Sequence, residues 1–179
     1  MTNSVAETDR LLLIEITPNE AEFAYRLNLD PEVLKYTGDE AFESIEEARA
    51  FLEKYDHYKR YGFGRWGVVL KETNKLIGWC GLKYTKELKE HDIGFRFFKN
   101  HWNKGYATEA TIASLQIGFE KFNMTEIVGR AHGKNIGSIR VLEKAGLKFE
   151  KKIDFEGEDG VLYKITFNDW KSLNLKEKL

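Results

Sequence analysis

Between His91 and Ala131 an apolar strand-like run, a glycine-containing loop, an amphipathic helix and a second apolar run follow one another without interruption. The first run ends at Phe98, the second is Ile127–Ala131, and the helix between them carries a stripe of Ile112, Leu115, Phe119 and Phe122. Spacing of three and four residues puts that stripe on one face, to be buried on a sheet. Parallel neighbours need a crossover connection such as a helix, whereas strands joined by short turns lie antiparallel. With the mixed order of the other elements, this unit suggests one parallel crossover in a largely antiparallel sheet.

The flanking segments supply antiparallel strands and covering helices. Leu11–Ile16 reads as a first strand, and Asn19–Leu29 as a helix preceded by Pro18 and stopped by Asp30-Pro31. Ser44-Ile45-Glu46-Glu47 has the form of a capping box, opening a helix that runs towards Tyr61 with Ala48, Phe51, Leu52 and Tyr55 on one face and Gly62 at its end. Trp66–Leu70 and Leu76–Leu82 flank the polar turn Lys71–Lys75 as a hairpin. Asn135–Ala145 is a helix closed by Gly146. Leu147–Phe155 and Val161–Phe167 form a last hairpin around Glu158-Asp159-Gly160, with a short helix after it. This order predicts an α/β (α+β) fold: a mixed, mostly antiparallel sheet with helices on both faces. No repeat or Pro/Gly-rich linker divides the chain, so residues 1–179 read as one domain.

Composition excludes several classes. Hydrophobic residues are 42% of the chain, enough for a packed core, and 28 Lys and Arg against 29 Asp and Glu leave a net charge of -1. A general nucleic-acid binder would carry a basic excess. Cys80 is the single cysteine, so no internal disulfide forms and no cysteine-rich metal site exists; no metal is expected. Cys80 reads as a small core residue. No stretch approaches the roughly 20 apolar residues of a membrane span. The polar start lacks a signal peptide. A cytoplasmic protein, monomer or homodimer, with no membrane partner is the expectation.

Chemistry concentrates in the loop. The first N–H groups of a helix have no partner within it, and its dipole is positive at that end. Gly105 and Ala107 allow a pyrophosphate to approach the backbone, and Lys104 adds charge beside it. Gly105 alone could equally serve an ordinary loop. The dinucleotide pattern G-x-G-x-x-G and the Walker loop are both absent.

Trp102-Asn103-Lys104-Gly105-Tyr106-Ala107-Thr108-Glu109-Ala110 resembles the acetyl-CoA pyrophosphate loop of GNAT acetyltransferases. Asn135-Ile136-Gly137-Ser138, continuing through Lys144-Ala145-Gly146-Leu147, is similar to the N-x-x-S…K-x-G-F stretch of the branch containing ribosomal-protein N-terminal alanine acetyltransferases. Thr8-Asp9-Arg10-Leu11-Leu12-Leu13 resembles that branch's opening strand. The resemblance spans nearly the whole chain. It implies a GNAT-like sheet splayed at its centre, with acetyl-CoA between strand Asp92–Phe98 and strand Ile127–Ala131. Backbone groups at Phe97 and Phe98 would meet the pantetheine arm. Asn103, Lys104, Gly105, Tyr106, Ala107 and Thr108 would meet the pyrophosphate, and Asn135 the cofactor's other side. Asn135 also reads as a helix N-cap, and both roles can hold at once.

Three positions depart from the family pattern. Trp102 stands where an Arg or Gln often precedes the loop. Ile14-Glu15 follows Leu13 without the usual arginine. Leu142 occupies the place of the tyrosine that protonates the leaving thiolate in many relatives, and a leucine donates no proton.

The implied reaction is direct attack of a neutral amine on a thioester. At pH 7 a lysine amine (pKa ~10.4) costs roughly 4.6 kcal/mol to deprotonate, an α-amine (pKa ~7.8) about 1.1 kcal/mol. An α-amine therefore needs only a weak base or a water relay. A backbone N–H on the splayed strand is the simplest oxyanion donor. Ser138 is the candidate acid by its motif position, or else a serine in a helix's first turn. Asp92 and His132 are candidate bases, either of which could be structural, and Glu109 is weighed between packing, capping and a role at the loop. Phe51, Tyr55, Tyr58, Tyr61, Phe63 and Trp66 make the second-helix region aromatic. At helical spacing Phe51, Tyr55 and Tyr58 read as core, with an aromatic wall around an amine as the functional alternative. The expected acceptor is a peptide or protein N-terminus, ribosomal or other. The alternatives are a small amine (polyamine, amino acid or drug) and a non-catalytic acetyl-CoA sensor.

Overall fold

The computed structural model describes residues 4–176, so residues 1–3 and 177–179 of the expected domain lie outside the described residues. One eight-stranded sheet runs in the order β1-β2-β3-β4-β5-β6-β8-β7. Its strands are β1 (Ser4–Glu7), β2 (Leu11–Ile14), β3 (Arg65–Leu70), β4 (Lys75–Thr85), β5 (Glu90–Phe97), β6 (Glu126–His132), β7 (Lys148–Phe155) and β8 (Glu158–Thr166). Every neighbouring pair is antiparallel except β5 and β6, which are parallel. The one expected parallel junction is β5–β6, whose connection carries the helix Tyr106–Gln116.

The helices are α1 (Ala21–Leu27), α2 (Pro31–Leu34), α3 (Ile45–Lys54), α4 (His57–Tyr61), α5 (Tyr106–Gln116), α6 (Ile136–Lys144) and α7 (Phe167–Lys176). Successive side chains of a strand point to opposite faces. Cys80 faces α5, its sulfur 3.7 Å from Thr111 Oγ1 and 3.5 Å from Ser114 Oγ, while Trp79 faces a cleft walled by α1 and α3. The sheet is therefore covered on both sides, with its core of Leu13, Trp66, Leu82, Ile93, Leu115, Phe119 and Ile127 almost fully buried.

Several local expectations are corrected. A strand, β1, precedes the expected first one. Asp30-Pro31 does not merely stop a helix: the Asp30 side chain accepts from Glu32 N–H at 2.9 Å and opens α2. Ser44 caps α3 as expected, but Glu47 reaches back to the N–H of Glu43. The helix expected through Tyr61 breaks at Tyr55, which is extended (φ -75°, ψ 104°), and resumes as α4. Ile112 is 45% exposed, and α5 instead buries Ala110, Thr111, Ser114 and Leu115. Small residues bring α5 close to Cys80, so its buried face is not marked by bulk. A π-helical turn, Ile117–Lys121, ends it. The last hairpin turns at Glu156 (φ 53°) and Gly157 (φ 81°), two left-handed residues of the kind that match strand twist, rather than at Asp159-Gly160.

Candidate active site

β5 and β6 pair only at Asp92–Val128 and Ile93–Gly129, and their ladder then stops. Beyond that point the two strands enclose a gap. Backbone groups of alternate residues face alternate neighbours in an antiparallel ladder. Phe98 N–H donates to Ile77 O at 3.0 Å, so the even-numbered residues of β5 bond to β4 and the backbones of Phe95 and Phe97 face the gap. The Phe97 carbonyl accepts from the Trp102 indole N–H at 2.8 Å, which gives this departure from the family pattern a structural use. Phe98 has both backbone groups in bonds, to Ile77 and His101, so Phe97 is the member of the expected pair that keeps a donor facing the gap. Phe95 joins it. The alternation of the strand could have signalled Phe95 had the register been known.

Leu142, 1% exposed, closes the base of the gap: a Cβ at Gly129 would stand 2.6 Å from its side chain and 3.3 Å from Ile93. The residue in the tyrosine position is thus core.

The loop leaves β5 through a 3-10 turn at Lys99–His101 and contains two left-handed residues, Asn103 (φ 58°) and Gly105 (φ 81°). Gly105 is the N-cap of α5, and no side chain caps the first-turn N–H groups of Tyr106, Ala107 and Thr108. Asn103, Lys104 and Gly105 are exposed beside them. Uncapped N–H groups, an open approach and a lysine fit a pyrophosphate. Arg10 holds the loop from behind, donating to Lys104 O at 3.0 Å and lying 4.6 Å from the Tyr106 ring centre. Glu109 accepts from Thr8 Oγ1 at 2.6 Å and from Arg10 Nε at 2.7 Å, tying α5 to the β1–β2 turn. Burial pushes its carboxyl up, but the hydrogen bonds from Thr8 and Arg10 outweigh that and hold it below the usual range.

Across the gap, Asn135 caps α6, its Oδ1 accepting from Ser138 N–H at 3.0 Å. Ser138 is half-buried in the first turn. The two expected bases are both engaged. Asp92 Oδ1 accepts from Arg65 Nη2 at 2.6 Å, and its Oδ2 lies 4.0 Å from Arg130 Nη1. His132 Nδ1 accepts from Lys134 N–H at 3.1 Å, and its ring packs 4.9 Å from Tyr36 and 6.2 Å from Phe155. Its Nε2 lies 3.9 Å from Glu158 Oε2.

On the α1/α3 face of the gap lies a cleft of about 280 Å³ whose walls include Phe23, Phe42, Phe51, Tyr55, Tyr58 and Trp79. Phe51 is 55% exposed, so the expected core position is a wall of this cleft instead. The tyrosine hydroxyls are taken up by backbone groups. Tyr55 Oη accepts from Arg65 N–H at 2.7 Å, while Tyr58 Oη donates to Arg65 O and accepts from Ile16 N–H at 3.2 Å. Burial pushes both phenols up. Arg96 donates to Asn28 Oδ1 at 2.7 Å and to Asp39 Oδ2 at 2.5 Å. Sequence reasoning missed Arg65, Arg96 and Asp39, because strands and a loop far apart in the chain bring them together.

The model of the acetyltransferase (GNAT) domain family matches residues 10–148. The chain belongs to the GNAT acetyltransferase family. YnaD of Bacillus subtilis, an uncharacterized N-acetyltransferase, is 33% identical over 91% of this chain and 97% of its own. The crystal structure of a GNAT-family acetyltransferase from Bacillus anthracis is 30% identical, with a TM-score of 0.77 over 90% of this chain and 98% of that one. Spermidine N-acetyltransferase from Vibrio cholerae, solved with CoA and spermine, shares the fold at 19% identity (TM-score 0.77, 92% and 99% covered). The protein is accordingly an acetyl-CoA-dependent N-acetyltransferase with a GNAT fold. The likeness to the ribosomal-protein alanine acetyltransferase branch is finer than these relatives carry. Among the described residues no group of three or more His, Cys, Asp or Glu could hold a metal, and no helix is long and apolar enough to cross a membrane.

Proposed function

We propose that this GNAT enzyme transfers the acetyl group of acetyl-CoA directly to the α-amine of a peptide or protein N-terminus that enters through the aromatic cleft. The observation that carries this reading is the engagement of both candidate bases: Asp92 between Arg65 and Arg130, His132 by the Lys134 N–H. With both expected bases engaged, an acceptor that sheds its proton easily is favoured. An α-amine (pKa ~7.8) does so near neutrality, and a lysine or polyamine (pKa ~10.4) does not.

In this reading the gap-facing backbone of Phe97 and Phe95 holds the thioester arm, with Phe98 flanking it. Asn103, Lys104, Gly105, Tyr106, Ala107 and Thr108 hold the pyrophosphate, and Asn135 closes the other side. The neutral amine attacks the thioester carbon, a C–N bond forms and the C–S bond breaks. The amine's proton passes to water and, through water, to the departing thiolate, which Ser138 steadies with a hydrogen bond and which needs little help at a thiol pKa near 8.5. A gap-facing N–H stabilises the oxyanion. Asp92 and His132 hold Arg65, Arg130 and the mouth of the gap in place.

The test is thiol release from acetyl-CoA with a short peptide, the same peptide blocked at its N-terminus, and spermidine. The expected result is turnover that needs the free α-amine. Faster acetylation of spermidine or of lysine side chains in the blocked peptide would overturn the reading.

A further inference from the structure

Resting on that reading, we infer that the cleft selects the acceptor's first residue, taking an apolar side chain of aromatic size on a molecule with a single positive charge near the amine. Three observations carry it.

The first is the surface. Phe42 and Phe51 lie 5.6 Å apart at the cleft, and Phe51 is left 55% exposed. Trp79, Tyr55 and Tyr58 also line it, the two tyrosine hydroxyls being bonded to the backbone of Arg65. Exposed aromatic surface gathered in a concavity marks a binding site.

The second is size. A space of about 280 Å³ accommodates one large side chain and not a folded segment.

The third is charge. The charged groups lining the cleft are Arg65, Arg96, Asp39 and Glu40. Arg96 is paired with Asp39, and Arg65 with Asp92 just behind it, which leaves the Glu40 carboxylate outside any ion pair among the described residues. One uncompensated negative charge suits one ammonium. A polyamine or a lysine-first peptide would bring cations towards Arg65 and Arg96 with nothing to meet them.

Two readouts test this. In steady state, kcat/KM with acetyl-CoA is compared for peptides beginning with Phe, Ala and Lys, and for spermidine. In parallel, the CoA-bound protein is titrated with phenylalaninamide, alaninamide and spermidine while tryptophan fluorescence is followed, with Trp79→Phe to assign the signal. The expected result is a preference of about tenfold or more for Phe over Ala, in line with what a few methylenes contribute in an apolar pocket. Phe51→Ala and Phe42→Ala should lower the Phe-first rate more than the Ala-first rate, and Glu40→Gln should raise KM for the amine without changing KM for acetyl-CoA. Equal rates for the three peptides, or a preference for the Lys-first peptide or spermidine, would overturn the inference and leave acetyl transfer standing. Selective phenylalaninamide binding with no turnover of any amine would uphold the cleft and overturn the proposed reaction.

Discussion

Arg65 lies across Gly94, so that a Cβ at this glycine would stand 2.7 Å from the guanidinium carbon. The absent side chain lets Arg65, on β3, cross β4 and reach Asp92 on β5, bonding Gly81 O on the way. Gly94→Ala should therefore push the guanidinium off Asp92 rather than move the backbone. The expected cost is about 1–3 kcal/mol, the range for losing a charge-assisted hydrogen bond in a half-buried place. Urea unfolding would show it as a lower midpoint at unchanged slope; an unchanged midpoint would mean that Arg65 is not held as described.

Tyr58 and Tyr55 clamp the backbone of the same arginine with unequal duties. Tyr58→Phe strands two backbone groups, Ile16 N–H and Arg65 O, and Tyr55→Phe strands one, Arg65 N–H. Stranded groups cost ~1–3 kcal/mol each when buried. Thermal unfolding should rank Tyr58→Phe below Tyr55→Phe, and the reverse order would contradict these roles.

Much of this arrangement was legible in the sequence, for local reasons. The order of elements signalled one parallel crossover, Gly105 marked the loop before α5, and Asn135 marked the cap of α6, because turns and caps depend on neighbouring residues. Misreadings occurred where distant contacts decide. The spacing of Ile112 predicts a core position, whereas α5 lies so near Cys80 that small residues take the buried face. Tyr55 was read as mid-helix, yet its hydroxyl is drawn to Arg65 N–H and the helix breaks there. The contacts of Asp92 with Arg65 and Arg130, and of His132 with Tyr36 and Phe155, join residues remote in sequence and could not be read from it. The aromatic cleft was glimpsed in composition, but its charge balance needed Arg96 and Asp39 side by side.

Burial pushes His57, His91 and His101 below the usual histidine range, with Lys104 adding to the effect at His101. A histidine whose pKa is lower folded than unfolded takes up a proton on unfolding, so its contribution to stability is present above about pH 6.5 and is lost as pH falls through the folded value. The melting temperature should fall between pH 7 and pH 5. His57→Phe, which can keep the ring contacts to Tyr55 and Tyr61, should flatten that slope. A slope unchanged in the variant would remove His57 from the cause.

Cys80 is fully buried, and its thiol is pushed up to about 11 by desolvation. At pH 8 only about 0.1% would be thiolate, the reactive form. A thiol-reactive dye should leave the folded protein unlabelled and label one thiol per chain after denaturation. Rapid labelling of the native protein would place Cys80 nearer the surface.

The most direct test of the whole account is calorimetric titration of acetyl-CoA into the wild-type protein and into Gly105→Asp. The substitution sets a carboxylate at the uncapped start of α5, where the account puts the pyrophosphate. One-to-one binding by the wild type, weakened at least about tenfold in the folded variant by like-charge repulsion, is the expected result. Equal affinity in the two proteins, or no binding by the wild type, would contradict it.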